Sequence, residues 1–382
     1  MFEPKIFESF FMGGFECSTH RREDGRRLDL LVGTAHDKHV ANDYRQLGQH
    51  GLRTVRDGLR WHLIEKQPGQ YDWSSFLPML RAANESGTQV IWDLCHYGWP
   101  DDIDIWSPQF VERFAAFSRA AAQLIVDEGG PAPWFCPVNE ISYWAWAGGE
   151  MSKFWPLGRR RGDDFKRQLV RAAIASVDAV RSVDPRCRII FAEPAIQVVA
   201  ATPQRREAAE QARLAQYSAW DMLLGRIEPE LGGREDLVDV MGLNYYSDNQ
   251  WVLDGKTIER SDARYRPLAD MLAEIHSRYA KPMIISETGA EGDARASWLH
   301  YVVDEVIDAM SREVPIEGVC LYPVLDYPGW INDRHCETGL FGYADEEGQR
   351  MLHRELAQQL ATEQARVLTT QSGARAPSSA AA

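Results

Sequence analysis

Two glutamates stand at the ends of apolar runs, where a charge is costly unless it is paired or used. Glu140 closes "WFCPVNE" and Glu287 closes the apolar part of "PMIISETG". Two carboxylates facing each other across a pocket can cleave a glycosidic bond. One gives a proton to the leaving oxygen, and the other, ionised, attacks or supports water. The two acids therefore need different neighbours. Arg56 and Tyr245 are the expected partners of Glu287, because a guanidinium favours a charged carboxylate and a phenol can hydrogen-bond to it. Glu140 follows apolar residues with no evident cation, so it is expected to hold its proton to higher pH. These features assign Glu140 as acid/base, Glu287 as nucleophile, and Asn139 as a bond to a sugar 2-hydroxyl.

The assignment requires a fold in which these residues converge. Short apolar runs alternate with longer segments of helical period along the chain. The strand-like runs lie in "FMGGFECS", "LRTVRDGL", "TQVIWDLCH", "WFCPVNE", "CRIIFAEP", "LVDVMGLNYY", "PMIISETG" and "IEGVCLYPVLDY". Near-continuous apolar runs suit parallel strands buried on both faces. Eight such βα units predict an α/β protein with a single (β/α)8 barrel over residues 1–366. A doubly wound sheet is disfavoured, since "GGFECS" is no phosphate-binding turn. The small, polar segment 367–382 is expected to be a disordered tail.

In such a barrel, chemistry sits at the C-terminal strand ends. There the sequence offers Glu16, His20 and Arg21 on the first strand, Arg56 and Asp57 on the second, and Asp93 and His96 on the third. The fourth carries Asn139 and Glu140, the fifth Glu193, and the sixth Asn244, Tyr245 and Tyr246. The seventh carries Glu287, and the eighth Tyr322 and Asp326 with Trp330 following. Thirteen tryptophans supply flat apolar faces for sugar rings. Trp99, Trp144 and Trp330 are expected to face substrate, together with His20, Arg21, His96 and Tyr322.

Composition narrows the partners. A net charge of −14 argues against nucleic acid, which needs clustered positive charge. No stretch approaches the ~20 apolar residues of a membrane span. The N-terminal segment lacks a basic and then apolar leader pattern, so a cytoplasmic location is expected. Six scattered cysteines without a CxxC pair read as buried apolar residues in a reducing compartment. "HDKH" (His36 to His39) opens a helix without an acidic cluster at ligand spacing, so no metal and no cofactor are expected. The expected partner is a small carbohydrate or glycoside, with homo-oligomer formation left open.

These residues resemble the (β/α)8 retaining glycosidases, and most closely glycoside hydrolase family 1, the β-glucosidase family, over about residues 10 to 350. "CPVNE" is similar to that family's Asn-Glu acid/base motif and "IISETG" to its Glu-Asn-Gly nucleophile motif, with Thr288 in place of Asn. "LCHYGWP", "GLNYY", and "LDYPGW" followed by "TGLFGY" resemble its strand-three, strand-six and C-terminal Trp segments. The resemblance implies a retaining exo-glycosidase acting on a β-linked sugar by double displacement. It also marks departures. Where the family holds a sugar-gripping Gln near strand one, this chain has His20 or Arg21. Tyr322 stands for a Trp, and Gly329 for a Glu. A transglycosidase with the same pair, or a non-catalytic carbohydrate-binding barrel, are the alternatives.

Overall fold

The computed structural model describes residues 6–373, and in it every apolar run becomes a strand. They are β1 (Phe11–Gly14), β2 (Thr54–Gly58), β3 (Gln89–Asp93), β4 (Trp134–Cys136), β5 (Arg188–Pro194), β6 (Val240–Asn244), β7 (Met283–Thr288) and β8 (Ile316–Leu321). Each pairs in parallel with its neighbours in chain order, and β8 closes on β1. Between and after the strands run α1 (His36–Gln49), α2 (Leu77–Ser86), α3 (Pro108–Asp127) and α4 (Gly162–Val183). They are followed by α5 (Arg206–Leu214), α6 (Leu268–Tyr279), α7 (Ala294–Ser311) and α8 (Arg354–Gly373). Gly87, in the left-handed region, stops α2, and Pro108 opens α3, as their backbone preferences dictate.

Three element boundaries differ from the sequence reading. The long helical segment after β5 breaks at Ala215–Tyr217 and resumes as Ser218–Leu223. Arg350–Leu352 pairs as a strand with Phe341–Ala344, so the last helix starts at Arg354. That helix runs to Gly373, into the segment read as a tail, and residues 374–382 lie outside the described residues. Among the described residues, no helix is long and apolar enough to cross a membrane.

The strands position the site through their period of two. One parity points into the barrel. Its lower layer is apolar: Met12, Ile91, Trp134, Ile190, Val240, Ile284 and Cys320 pack together there. Continuing upward on the same parity, β1 reaches Gly14 and then Glu16, β2 Arg56, β3 Asp93, β6 Asn244, and β8 Tyr322. The barrel therefore has an apolar floor and a polar top. Gly14 is required here, because a Cβ would lie 2.1 Å from Cδ2 of Tyr322, whose ring closes over the first strand. The opposite parity packs outward against the helices.

A second buried polar group holds α1 to the barrel. His36 Nδ1 lies 2.7 Å from Asp43 and Nε2 lies 2.8 Å from Asp57. Tyr44 donates to Asp57, and Arg350 closes the set on Asp43 at 2.6 Å. "HDKH" thus contributes a clamp between α1, β2 and the C-terminal strand. Burial would lower the His36 pKa, but Asp57 and Asp43 outweigh it and raise it to about 9. A raised histidine contributes stability that is complete below the ordinary value and lost as pH rises through about 9. His36→Gln should therefore lower the urea midpoint strongly at pH 6 and much less at pH 9.5. A loss equal at both pH values would show that the charge is not what stabilises.

Candidate active site

Arg56 is the hub of the polar layer. From β2 its Nη1 donates to Glu287 Oε1 at 3.1 Å and to the Ser286 carbonyl at 2.9 Å. Its Nη2 donates to Asp93 Oδ2 at 2.7 Å and to Asn139 Oδ1 at 3.1 Å. Burial would lower the guanidinium, yet Asp93 and Glu287 hold it well above its usual range. The side chain is fixed and fully charged.

Glu287 enters the barrel because β7 is irregular at that point. The β6–β7 register slips between Leu243 and Asn244, so that Asn244 pairs with Glu287 rather than with Ser286. Such a bulge re-aims a side chain that strict alternation would turn outward. Ser286 also faces inward and donates to Asn244 Oδ1 at 2.6 Å. The second oxygen of Glu287 accepts from the Tyr246 hydroxyl at 2.9 Å. Burial raises the Glu287 pKa above the usual carboxylate value, and Arg56 and His96 offset only part of that rise.

Glu140 is presented by strain. It sits just past β4 with φ 44° and ψ 62°, at the start of the short helix Ile141–Trp144. A left-handed non-glycine residue costs on the order of 1–3 kcal/mol and is held only where its surroundings compel it. Its backbone N–H donates to Ala192 of β5, and Glu193 accepts the Ser142 N–H at 3.0 Å. The Glu140 carboxylate receives the Tyr97 hydroxyl at 2.6 Å and the Asn244 amide at 3.0 Å. Tyr97 is itself left-handed, with φ 65°. Among the described residues, no cation pairs with Glu140. Burial and the Glu287 charge raise its pKa to about 8. The carboxylates therefore differ in kind: one is paired with a guanidinium, and the other is raised by burial and its neighbour's charge with no cation beside it among the described residues.

No protein-family model and no curated protein sequence matches the chain. Solved structures do match it. The monomer of a hyperthermophilic β-glucosidase mutant that forms a dodecameric structure in its crystal form superposes with a TM-score of 0.75 at 17% identity, covering 94% of this chain and 99% of that one. The family 1 β-glucosidase from Thermotoga maritima gives 0.75 at 15%, over 96% and 98%. The AHE enzyme from Alicyclobacillus herbarius gives 0.75 at 18%, over 94% and 100%. This chain has the fold of the family 1 β-glucosidases.

On this family 1 fold, the residues named from sequence fall into two groups. Arg56, Asn139, Glu140, Glu287, His96 and Tyr322 converge on the polar layer. His96 Nδ1 lies 2.9 Å from Asp93, and its Nε2 lies 3.1 Å from the Asn139 amide. Asn139 also donates to the Tyr97 hydroxyl at 3.0 Å, so it ties Arg56, His96 and Tyr97 together. Trp330 reaches the mouth, with ring centres 4.7 Å from His20 and 5.7 Å from Tyr97. His20 is buried and neutral; burial and His96 lower its pKa to about 3.

Four residues are placed elsewhere. Tyr245 is on the outward parity, stacked on Trp298 of α7, with its hydroxyl on Tyr265. Tyr246 takes the position beside Glu287 instead, because counting by two from Asn244 gives Tyr246. Trp144 is fully buried, donates to the Trp155 carbonyl and packs against Tyr97. Trp99 donates to the Ile103 carbonyl and packs behind Trp144. Both indoles support the wall. Arg21 points away and grips Asp101 with two nitrogens, at 2.7 and 2.5 Å, joining two loops.

Tyr97, Tyr246, Asn244 and Asp93 were not assigned roles from sequence. The signal for Asn244 and Tyr246 was the strand period; for Tyr97 it was only adjacency to His96. Cys17, Asp93 and His96 bring three ligand-type atoms within 4.8 Å of one another. Asp93 is already shared by Arg56 and His96, and burial and Asp93 hold the Cys17 thiol protonated. That donor set is a poor fit for a cation. All six cysteines are free and buried.

Proposed function

We propose that this protein is a retaining exo-glycoside hydrolase acting on a β-linked glycoside, working by double displacement. The observation that carries the reading is the asymmetric carboxylate pair: Glu287 on Arg56 and Tyr246, and Glu140 on Tyr97 and Asn244. Paired acids whose environments push their pKa values apart are suited to opposite roles.

In the first step a Glu287 oxygen attacks the anomeric carbon. A carbon–oxygen bond to Glu287 forms as the glycosidic bond breaks, and the Glu140 proton passes to the leaving oxygen. In the second step Glu140, now ionised, removes a proton from water. The water oxygen attacks the anomeric carbon and frees Glu287, with net retention. Arg56 keeps Glu287 charged and aligned, and Tyr246 fixes its other oxygen. An acceptor hydroxyl in place of water would make the same machinery a transglycosidase. The substrate is a small glycoside, and buried free thiols support a reducing, cytoplasmic setting.

The test is a panel of aryl β-glycosides spanning hexosyl, deoxy, pentosyl and uronyl sugars, assayed with and without sugar acceptors. We expect release of the phenol and a product that keeps the β configuration when followed by NMR. Initial formation of the α anomer would mean inversion, and would place the carboxylates beyond the ~5–5.5 Å of a retaining pair. Binding without release from any member would favour a carbohydrate-binding barrel.

A further inference from the structure

One carboxylate in the barrel is not used by this mechanism. Glu16 lies two residues past β1 on the parity of Met12 and Gly14, so it stands over the lumen. It is only 6% exposed. Its Oε1 accepts both the Ser18 N–H, at 3.0 Å, and the Ser18 hydroxyl, at 2.5 Å, so the side chain is held in one orientation. The second oxygen accepts no hydrogen bond among the described residues. His96 Nε2 is 4.0 Å from Oε1 and is engaged by the Asn139 amide. Arg56 is shared by Asp93, Glu287 and Asn139. That oxygen is not shut off from solvent, so a hydrogen-bond donor on a ligand entering the lumen can reach it.

Two buried polar atoms nearby are without partners among the described residues: the Tyr322 hydroxyl and His20 Nδ1. Tyr322 lies over Gly14 of the strand that carries Glu16, and Glu16 is the charge that acts most strongly on its phenol. Glu16 also acts on Glu287 and Tyr246, so all of these groups share one space. An acceptor and a donor are therefore left open beside the nucleophile, on the wall formed by β8 and β1.

Resting on the glycosidase reading, we propose that Glu16 is a specificity-determining residue that reads the sugar. Its free oxygen accepts a hydrogen bond from a ring substituent while the Tyr322 hydroxyl donates to the same group or its neighbour. The site then selects a glycone bearing a hydrogen-bond donor there, a hydroxyl or an ammonium. It excludes one bearing a carboxylate or phosphate, which would meet Glu16 with like charge.

The experiment compares wild type, Glu16→Gln and Tyr322→Phe on aryl β-glycosides in neutral, amino-deoxy and uronyl forms. In Glu16→Gln we expect kcat/KM to fall ~10- to 100-fold for the neutral sugar and further for the amine. The uronyl-to-neutral ratio should rise by at least a similar factor. Tyr322→Phe should weaken the neutral sugar without favouring the uronyl one. A uniform fall across all three sugars with a lowered melting temperature would mean a structural role and would overturn the proposal. A preference for the amino sugar that disappears in Glu16→Gln identifies an ammonium; equal effects on amine and hydroxyl identify a hydroxyl. The same ratios are read independently as affinities, by calorimetry, in a Glu140→Gln background. If wild type cleaves nothing but binding still discriminates through Glu16, the glycosidase reading fails and this one stands. If no sugar binds, both fail.

Discussion

Replacing Glu287 by Gln lowers kcat for an aryl β-glycoside by at least ~10⁴-fold, the scale expected when a covalent nucleophile is lost, with the barrel still folded. The amide oxygen can still accept from Arg56 while the amide NH2 donates to the Tyr246 hydroxyl, so the polar layer keeps its geometry while the attacking charge is gone. Glu287→Gly goes further and opens the space below the sugar. Added azide should then restore turnover and give the glycosyl azide of inverted configuration, since it attacks from the face that Glu287 occupied. An azide product of retained configuration would remove Glu287 from the nucleophile's role. The expectation rests on Arg56, which is fully buried and shared between Asp93 and Glu287. An ionised Glu287 is the state that this guanidinium supports.

Replacing Glu140 by Gln gives the second large effect, and it depends on the leaving group. For alkyl or unactivated aryl glycosides kcat/KM falls ~10²- to 10⁴-fold, the usual reach of general acid catalysis. For a dinitrophenyl leaving group, which departs without a proton, kcat/KM changes little. The pH profile changes with it. Glu140, raised to about 8 by burial and the Glu287 charge, acts as an acid only while protonated. Wild-type kcat/KM should therefore fall as pH rises through about 8, and that limb should be absent in Glu140→Gln. An alkaline limb that survives in the variant would assign it to another group.

Stability should move the other way. A carboxyl raised on folding makes the native state bind more protons than the unfolded chain. Stability is then lost as pH climbs from the ordinary carboxylate range towards 8. Glu140→Gln should thus melt higher than wild type at pH 8, with the difference much reduced at pH 4. The acid is held at an energetic cost to the fold, as its left-handed backbone also indicates.

Much of this was legible in one dimension. Eight apolar runs separated by helical segments specify a parallel barrel, because strands buried on both faces must be apolar throughout. Glu140, Glu287 and Arg56 were visible for the same reason: each interrupts such a run or ends it. The period of two also contained Tyr246 in preference to Tyr245, although the neighbouring tyrosine was read instead. Other features were not in the pattern. The bulge that turns Glu287 inward arises from the register of β6 against β7, a property of two strands and not of one. Whether a tryptophan is a platform or a wall depends on what covers it, and Trp99 and Trp144 are covered by Trp155, Ile103 and each other. Arg21 was drawn to Asp101 across a loop boundary. Glu16 was placed at the end of the first strand without a role, until the closed barrel set it above Gly14 and beside Tyr322. Local sequence determines which residues alternate and where strands stop. Only closure of the barrel decides which of them meet, because Arg56, Glu287 and Glu140 find their partners on different strands.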